Sequence, residues 1–460
     1  MLRVYQSQRF AKISGIRRLS TGYKLEDPSL KLADPEISSL LIAEKSRQER
    51  TISLIASENC TSSAVNKAVG SCLTNKYAEG YPGNRLYPGC VNVDKVENIC
   101  KARALKLFDL DPNEWHANVQ AISGSVANLS AYNAVLDRGD KLLALSGKFG
   151  GHFSHGFQTP DGQKAISRKI YDTDHYSVNE DGEINYDELS MKAKELKPKL
   201  IICGYSVNSR DIDYKYIRKV ADGVGAHIHL DMAHISGLIA AGLMERPFEF
   251  VDIATTTTHK TLRGPRGGLI FCKKHLASQI DSSVFPGIIG GPMNHTIAGL
   301  AIALNEASTP NFKRYQQQVL KNSQALAKAL QGFKYDVWGG STKNHMVLWD
   351  TTRLGIEAVF INKALELASI NANAVRILSS SEPNAIRVGS LACTTRGYKE
   401  SNMSDVAVYL HQVTQRAIEL KNQTHGQIGD FLLAAQNDEE LLKLKHDIEN
   451  YAMDFPMPGV

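Results

Sequence analysis

Short apolar runs recur along the middle of this chain, and their length decides what they build. Between about 64 and 307 the segments 141–145, 200–203, 226–231, 251–256 and 268–271 are four to six residues long, and 141–145, 200–203 and 268–271 are almost wholly apolar. Runs this short predict strands, and the wholly apolar ones predict burial on both faces. Longer stretches with apolar residues at helical spacing separate them. Strand and helix in alternation predict an α/β fold, a mostly parallel sheet wrapped by helices. Beyond Pro310 the pattern changes: a long helix over 312–332 leads to strand and helix pairs, with strands at 346–349 and 386–388, which predict a smaller α+β unit. Ahead of both, 34–48 sets Ile37, Leu40, Leu41 and Ala43 on one side of a helix, which is expected to pack outside the main domain. The expected division is an N-terminal arm over 24–63, a large domain over 64–309 and a small domain over 310–460.

Composition narrows the class. A chain of 460 residues with 43% hydrophobic content can build two or more cores, and its longest apolar stretches are too short for a membrane span. Seven scattered cysteines show no metal-ligand spacing and read as reduced thiols. The net charge of +5 is concentrated at one end: the first 25 residues carry six positives and no acid, leaving about −1 for the remainder. Overall charge therefore implies no nucleic-acid partner. The segment 1–23, basic, serine-containing and acid-free, has the composition of a mitochondrial transit peptide, with Arg17-Arg18-Leu19-Ser20 as a processing site. It predicts a mitochondrial matrix location.

Three motifs carry chemistry. Thr255-Thr256-Thr257-Thr258-His259-Lys260-Thr261-Leu262-Arg263-Gly264-Pro265-Arg266 sets one lysine between a β-branched strand end and a tight turn. Burial and the nearby cations Arg263 and Arg266 would lower its pKa toward that of a free amine able to attack a carbonyl. Asp231 ends the run 226–231, 29 residues earlier. A carboxylate at a strand's carboxyl end can pair with a protonated ring nitrogen, or simply cap a following helix. Ser123-Gly124-Ser125 opens a helical pattern, where serine hydroxyls and unpaired N–H groups suit a phosphate. Cradle, acid and lysine in this order suit the phosphate, ring nitrogen and aldehyde of pyridoxal 5'-phosphate.

The chain also resembles serine hydroxymethyltransferase from about Leu30 onward. The resemblance rests on Leu54-Ile55-Ala56-Ser57-Glu58-Asn59, Asn75-Lys76-Tyr77-Ala78-Glu79-Gly80-Tyr81-Pro82-Gly83, Gly150-Gly151-His152, Asp231-Met232-Ala233-His234, the lysine run and Arg387-Val388-Gly389. It implies fold type I, the aminotransferase-like fold of pyridoxal-phosphate enzymes, and a homodimer or homotetramer whose sites use both subunits. By the same resemblance Lys260 binds the cofactor aldehyde, Asp231 holds the pyridine nitrogen protonated and His152 stacks on the ring. Ser206 and His234 lie beside the ring, and Thr257, His259 and Arg266 shape the lysine and phosphate surroundings. Arg387 takes the substrate carboxylate, helped by Ser57 and Tyr87. Tyr77 belongs to the substrate site, and Glu79 handles protons among serine, folate and the one-carbon unit. The implied reaction interconverts L-serine plus tetrahydrofolate with glycine plus 5,10-methylenetetrahydrofolate.

Departures from the family pattern cluster away from the lysine. Leu86 stands where a tyrosine normally packs on the folate ring, and Val91 stands near an expected glutamate. Val126, Asn208-Ser209, Ile289, Met293 and Leu391 also differ, and 373–385 aligns poorly. These leave two alternatives beside the transferase: an aldolase of 3-hydroxy amino acids working without folate, or a cofactor-binding scaffold protein.

Overall fold

The computed structural model describes residues 29–159, 161–378, 380 and 382–459; the segment 1–23 read as a transit peptide lies outside them. The chain divides into two compact units, 1–47 and 48–460. The helix predicted over 34–48 spans Pro35–Glu49, with Pro35 in the first turn, where its missing N–H costs nothing. None of its residues is buried; Ile37, Leu40 and Leu41 are exposed.

Seven strands in the second unit form one sheet in the order Trp115–Asn118, Gly268–Lys273, Ile253–Thr257, His227–Asp231, Leu200–Gly204, Lys141–Leu145 and Asp172–Tyr176. Gly268–Lys273 runs antiparallel to both neighbours, and the other pairings are parallel. Each of the five predicted runs is a strand of this sheet. The unbroken apolar runs follow from burial on both faces. Leu142 and Ala144 pack with Ala127, Ala131 and Tyr132 of the helix Gly124–Val135. Leu143 and Leu145 point the other way, into a core shared with Ile217, Leu300 and Leu304. Alternate residues of one strand thus serve two layers. The parallel strands end along one edge at Leu145, Gly204, Asp231 and Thr257, the edge where open α/β sheets bind ligands.

A second, antiparallel sheet has the order Asp336–Val337, Met346–Asp350, Ala385–Gly389 and Asn373–Val375. Val347, Trp349, Ile386 and Val388 bury against Leu326 and Leu330 of the helix Pro310–Gly332 and Val406, Leu410 and Val413 of Glu400–Gln423. Strand periodicity turns Arg387, between Ile386 and Val388, to the opposite face. The short strand Ile52–Ser53 pairs in parallel with Ile370–Asn371, and Ile52 and Leu54 join this core. Arg396, 5% exposed, follows the helix Leu391–Thr395 and donates to the carbonyls of Thr51 (2.9 Å), Glu49 (2.7 Å) and Phe455 (3.0 Å), and to that of Ala452.

Candidate active site

Strand Ile253–Thr257 delivers the lysine. After it the chain turns sharply: Gly264 N–H donates to Thr258 O at 2.7 Å, Arg263 N–H donates to Lys260 O at 3.0 Å, and Thr258 Oγ1 donates to Pro265 O. The turn leaves Lys260 8% exposed. Burial pushes its ammonium down to about 8; Asp231 opposes that shift, and Arg387 and Arg266 add to it. The expectation that Arg263 crowds the amine fails. Its backbone sits at φ +58°, and its Nε donates to Cys60 O at 2.8 Å, which occupies the guanidinium elsewhere. Arg387, from the second sheet, supplies the second cation instead.

Asp231 ends its strand beneath the helix Gly124–Val135. Its Oδ2 accepts from Asn128 Nδ2 at 2.7 Å and lies 3.2 Å from His155 Nε2; its Oδ1 accepts from Ala233 N–H at 3.0 Å. Burial alone would raise this carboxyl. The hydrogen bond and charge of His155, with His152 and Lys260, outweigh burial and hold it well below the usual carboxylate range. It stays ionised, as a partner for a protonated ring nitrogen must.

The cradle is a helix start. Ser123 caps Gly124–Val135 by accepting Val126 N–H at 3.2 Å, and the N–H groups of the first turn have no intrahelical acceptor. Gly124 is required for packing, since a Cβ there would lie 2.6 Å from Thr257 Cγ2. The helix start is thereby pressed against the end of the lysine strand.

His152 is placed by the paired glycines before it. A Cβ on Gly150 would meet Val207 O at 2.1 Å and one on Gly151 would meet Leu145 O at 2.0 Å, so only glycines thread this gap. Burial takes the His152 imidazole down to about 4, with Asp231 opposing. It is a neutral ring, fit to stack on a cationic heterocycle. His259 is pushed down to about 3 by burial and by Arg266 and Lys260, and its Nδ1 has no partner.

Arg387 donates from Nη1 to Ser206 O and from Nη2 to Asn373 Oδ1, both at 2.8 Å, while its buried Nε has no partner. Burial lowers it to about 10, still a cation at neutral pH. A buried guanidinium with an unanswered N–H beside a cavity suits a carboxylate.

These groups face one cavity of about 790 Å³. Ser57, Ser123, Gly124, Ser125, His152, Ser206, Asp231, His234, Thr257, His259, Lys260, Arg266 and Arg387 all line it. Tyr77, Glu79 and Tyr87 do not. Those three form a second cluster, in which the Tyr77 and Tyr87 rings meet edge-on at 5.2 Å and the Glu79 carboxylate raises the Tyr87 phenol above its usual range. Arg85 steadies that loop. It donates to Ala78 O (2.8 Å) and Gly80 O (2.6 Å), the carbonyls flanking Glu79, and pairs with Asp94 (2.9 Å) and buried Glu97 (2.7 Å).

The cavity fits pyridoxal phosphate on this chain's own terms: an amine near neutrality, an ionised buried acid, a capped helix start and an unanswered guanidinium N–H. The serine hydroxymethyltransferase family model matches residues 30–410. The chain belongs to the serine hydroxymethyltransferase family. The mitochondrial serine hydroxymethyltransferase of Candida glabrata is 42% identical over 96% of this chain and 97% of its own. Serine hydroxymethyltransferase 3, chloroplastic, of Arabidopsis thaliana is 44% identical over 95% of this chain and 85% of its own. The cytosolic serine hydroxymethyltransferase of Aspergillus fumigatus is 42% identical over 94% and 97%. Like the family, the chain is a pyridoxal-phosphate-dependent hydroxymethyltransferase that interconverts L-serine plus tetrahydrofolate and glycine plus 5,10-methylenetetrahydrofolate. Its relatives span mitochondrial, chloroplastic and cytosolic forms.

Sequence reasoning missed several residues of this serine hydroxymethyltransferase site. His155 and Asn128, which hold Asp231, follow His152 and Ser125 by only three residues each and could have been sought there. His345 stacks on His234 with centroids 5.5 Å apart and gives no sequence signal. Phe153, 66% exposed, lines the cavity and meets Phe157 edge-on at 4.9 Å. Of the departures, Leu86 is 68% exposed, and Asn208 builds its own turn by accepting Arg210 N–H and donating to Gly182 O.

Proposed function

We propose that Lys260, Asp231, His152 and Arg387 carry the serine hydroxymethyl transfer, each with the role its surroundings allow. When bound, pyridoxal phosphate supplies an aldehyde that captures the amino acid's amine and a protonated ring that accepts the electron pair released at Cα. Lys260 Nζ would hold the cofactor aldehyde, and its lowered pKa leaves a share of free amine near neutrality. Asp231 keeps the ring nitrogen protonated. Neutral His152, which lines the cavity, would pack against the ring and keep water from it. Ser123, Gly124 and Ser125 hold the phosphate at the helix start, with Thr257, His259 and Arg266 completing its surroundings. His234 and Ser206 border the ring, and Ser206 O also fixes Arg387 Nη1.

Arg387 binds the substrate carboxylate through its free N–H, with Ser57 alongside, and so aims the Cα–Cβ bond of serine. Glu79 moves the proton between the serine hydroxyl, the folate and the one-carbon unit. Tyr77, Glu79 and Tyr87 lie outside their own chain's cavity, which supports a dimer in which Glu79 of the partner subunit completes each site. The arm 24–63 and the domains 64–309 and 310–460 are the proposed divisions. The basic segment 1–23, together with mitochondrial relatives, supports import into the mitochondrial matrix.

The observation that carries the reading is the convergence of Lys260, Asp231 and Arg387 on one cavity with the Nε of Arg387 unanswered. The test is an absorbance titration with pyridoxal phosphate, then glycine, then tetrahydrofolate. A visible band that appears with glycine and grows with folate is expected; no band with glycine would sink the roles of Lys260, Asp231 and Arg387, and a band blind to folate would sink the role of Glu79.

A further inference from the structure

Asn59 sits where four segments meet. Its Nδ2 donates to Lys260 O at 3.0 Å and to Tyr315 Oη at 2.9 Å; its Oδ1 accepts from Cys60 N–H at 2.9 Å and from Thr395 Oγ1 at 2.6 Å. The orientation of the amide follows from two backbone groups with fixed roles. Cys60 N–H can only donate and Lys260 C=O can only accept, so oxygen must face the first and nitrogen the second. All four capacities of the side chain are used, each by a different segment's group.

The segments matter more than the count. Asn59 lies two residues after Ser57, which lines the cavity. Tyr315 belongs to the helix Pro310–Gly332. Thr395 ends the helix Leu391–Thr395, which begins four residues after Arg387. Lys260 O already accepts Arg263 N–H at 3.0 Å, so the Asn59 amide satisfies its second lone pair. The neighbouring carbonyl, Thr261 O, is held by Gln316 Nε2 at 2.7 Å from the same long helix.

We propose that Asn59 is a positioning residue for the known reaction, coupling the Ser57 segment and the helix that follows Arg387 to the backbone of Lys260. A shift of either carboxylate-binding segment then reaches the lysine turn through one amide, so the carboxylate grip and the amine's placement are set together. Removing the amide frees the second lone pair of Lys260 O to take water, and the turn loosens. A looser turn hydrates the ammonium, which moves its pKa back toward the ordinary lysine value. The inference rests on the reading of Lys260 as the cofactor lysine.

The experiment uses cofactor-free full-length protein. Lys260 is labelled with an amine-specific acylating reagent across a pH series, and its modification is read by mass spectrometry. In the wild type the labelling midpoint is expected at about 8. Asn59→Ala is expected to raise the midpoint by about one unit; in the loaded enzyme kcat should fall about tenfold, with a rise in KM for serine. Thr395→Val keeps the Lys260 bond and removes one tie, so a smaller shift in the same direction is expected. An unchanged midpoint in a folded Asn59→Ala protein overturns the coupling and leaves the lysine assignment standing. If Asn59→Ala does not fold, an unchanged midpoint in Thr395→Val overturns it. A wild-type midpoint at the ordinary lysine value overturns both the coupling and the reading beneath it.

Discussion

Lys260 shows how one residue can be legible in kind and not in circumstance. Its place between a threonine run and a glycine turn marks an amine kept out of water, and its burial agrees. Of the two cations that press on it, Arg266 was legible and Arg387 was not. Arg263 is three residues away in sequence, yet its left-handed backbone sends the guanidinium to Cys60 O, and Arg387 acts from more than a hundred residues away. The lowered pKa has a consequence for stability. Below about pH 8 both folded and unfolded chains hold the proton, and the folded chain carries the cost of burying it. Between about 8 and 10.5 the folded chain has released the proton and the unfolded chain has not, so stability rises with pH across that window. The gain is about 3 kcal/mol. Chemical denaturation of cofactor-free wild type against Lys260→Met, compared at each pH, should show it as a difference that closes toward alkaline pH. A pH-independent difference would mean the amine is hydrated.

At the scale of elements, the strands were readable because each is short and breaks off at a residue that favours a turn or a cap: Leu200–Gly204 closes on a glycine and His227–Asp231 on an acid. The helix Gly124–Val135 was readable from its serine cap. The loop 77–91 was not, because its order comes from one buried side chain. Arg85, 4% exposed, clamps the carbonyls either side of Glu79 while Glu97, 1% exposed, takes its charge. Sequence periodicity carries no trace of such a clamp. Arg85→Met strands the Glu97 carboxylate and should cost about 3–5 kcal/mol, read as a lower urea midpoint. Arg85→Met combined with Glu97→Leu should recover most of that loss. A double variant as unstable as the single would place the stabilisation in the carbonyl contacts alone.

At the scale of the whole molecule, two clusters that one chain does not bring together invite a test by mixing. Lys260→Ala chains lack the amine but keep Glu79; Glu79→Gln chains lack the acid but keep Lys260. Each homo-oligomer should be nearly inactive. If the proposed dimer holds, refolding the two in equal amounts should restore activity at roughly a quarter of the sites, because half the dimers would be mixed and each would hold one intact pair. No recovery would place Glu79 and Lys260 in the same chain's site. The motifs around Tyr77 and Glu79 were as legible as the lysine run, but membership in a motif says nothing of which copy a residue serves.

The arginine held by carbonyls has a consequence of its own. Among the described residues, every acceptor of Arg396 is a peptide oxygen, drawn from Gln48, Glu49 and Thr51 and from Ala452 and Phe455 at the close of the last helix. Peptide oxygens neither titrate in water's range nor gather a screening atmosphere as a carboxylate does. Acid and brine, which undo ties built from opposed ions, find nothing there to protonate or shield. The stitch joining residues 48–51 to the close of the chain's last helix is therefore set to outlast the surface ion pairs around it in acid or at high salt.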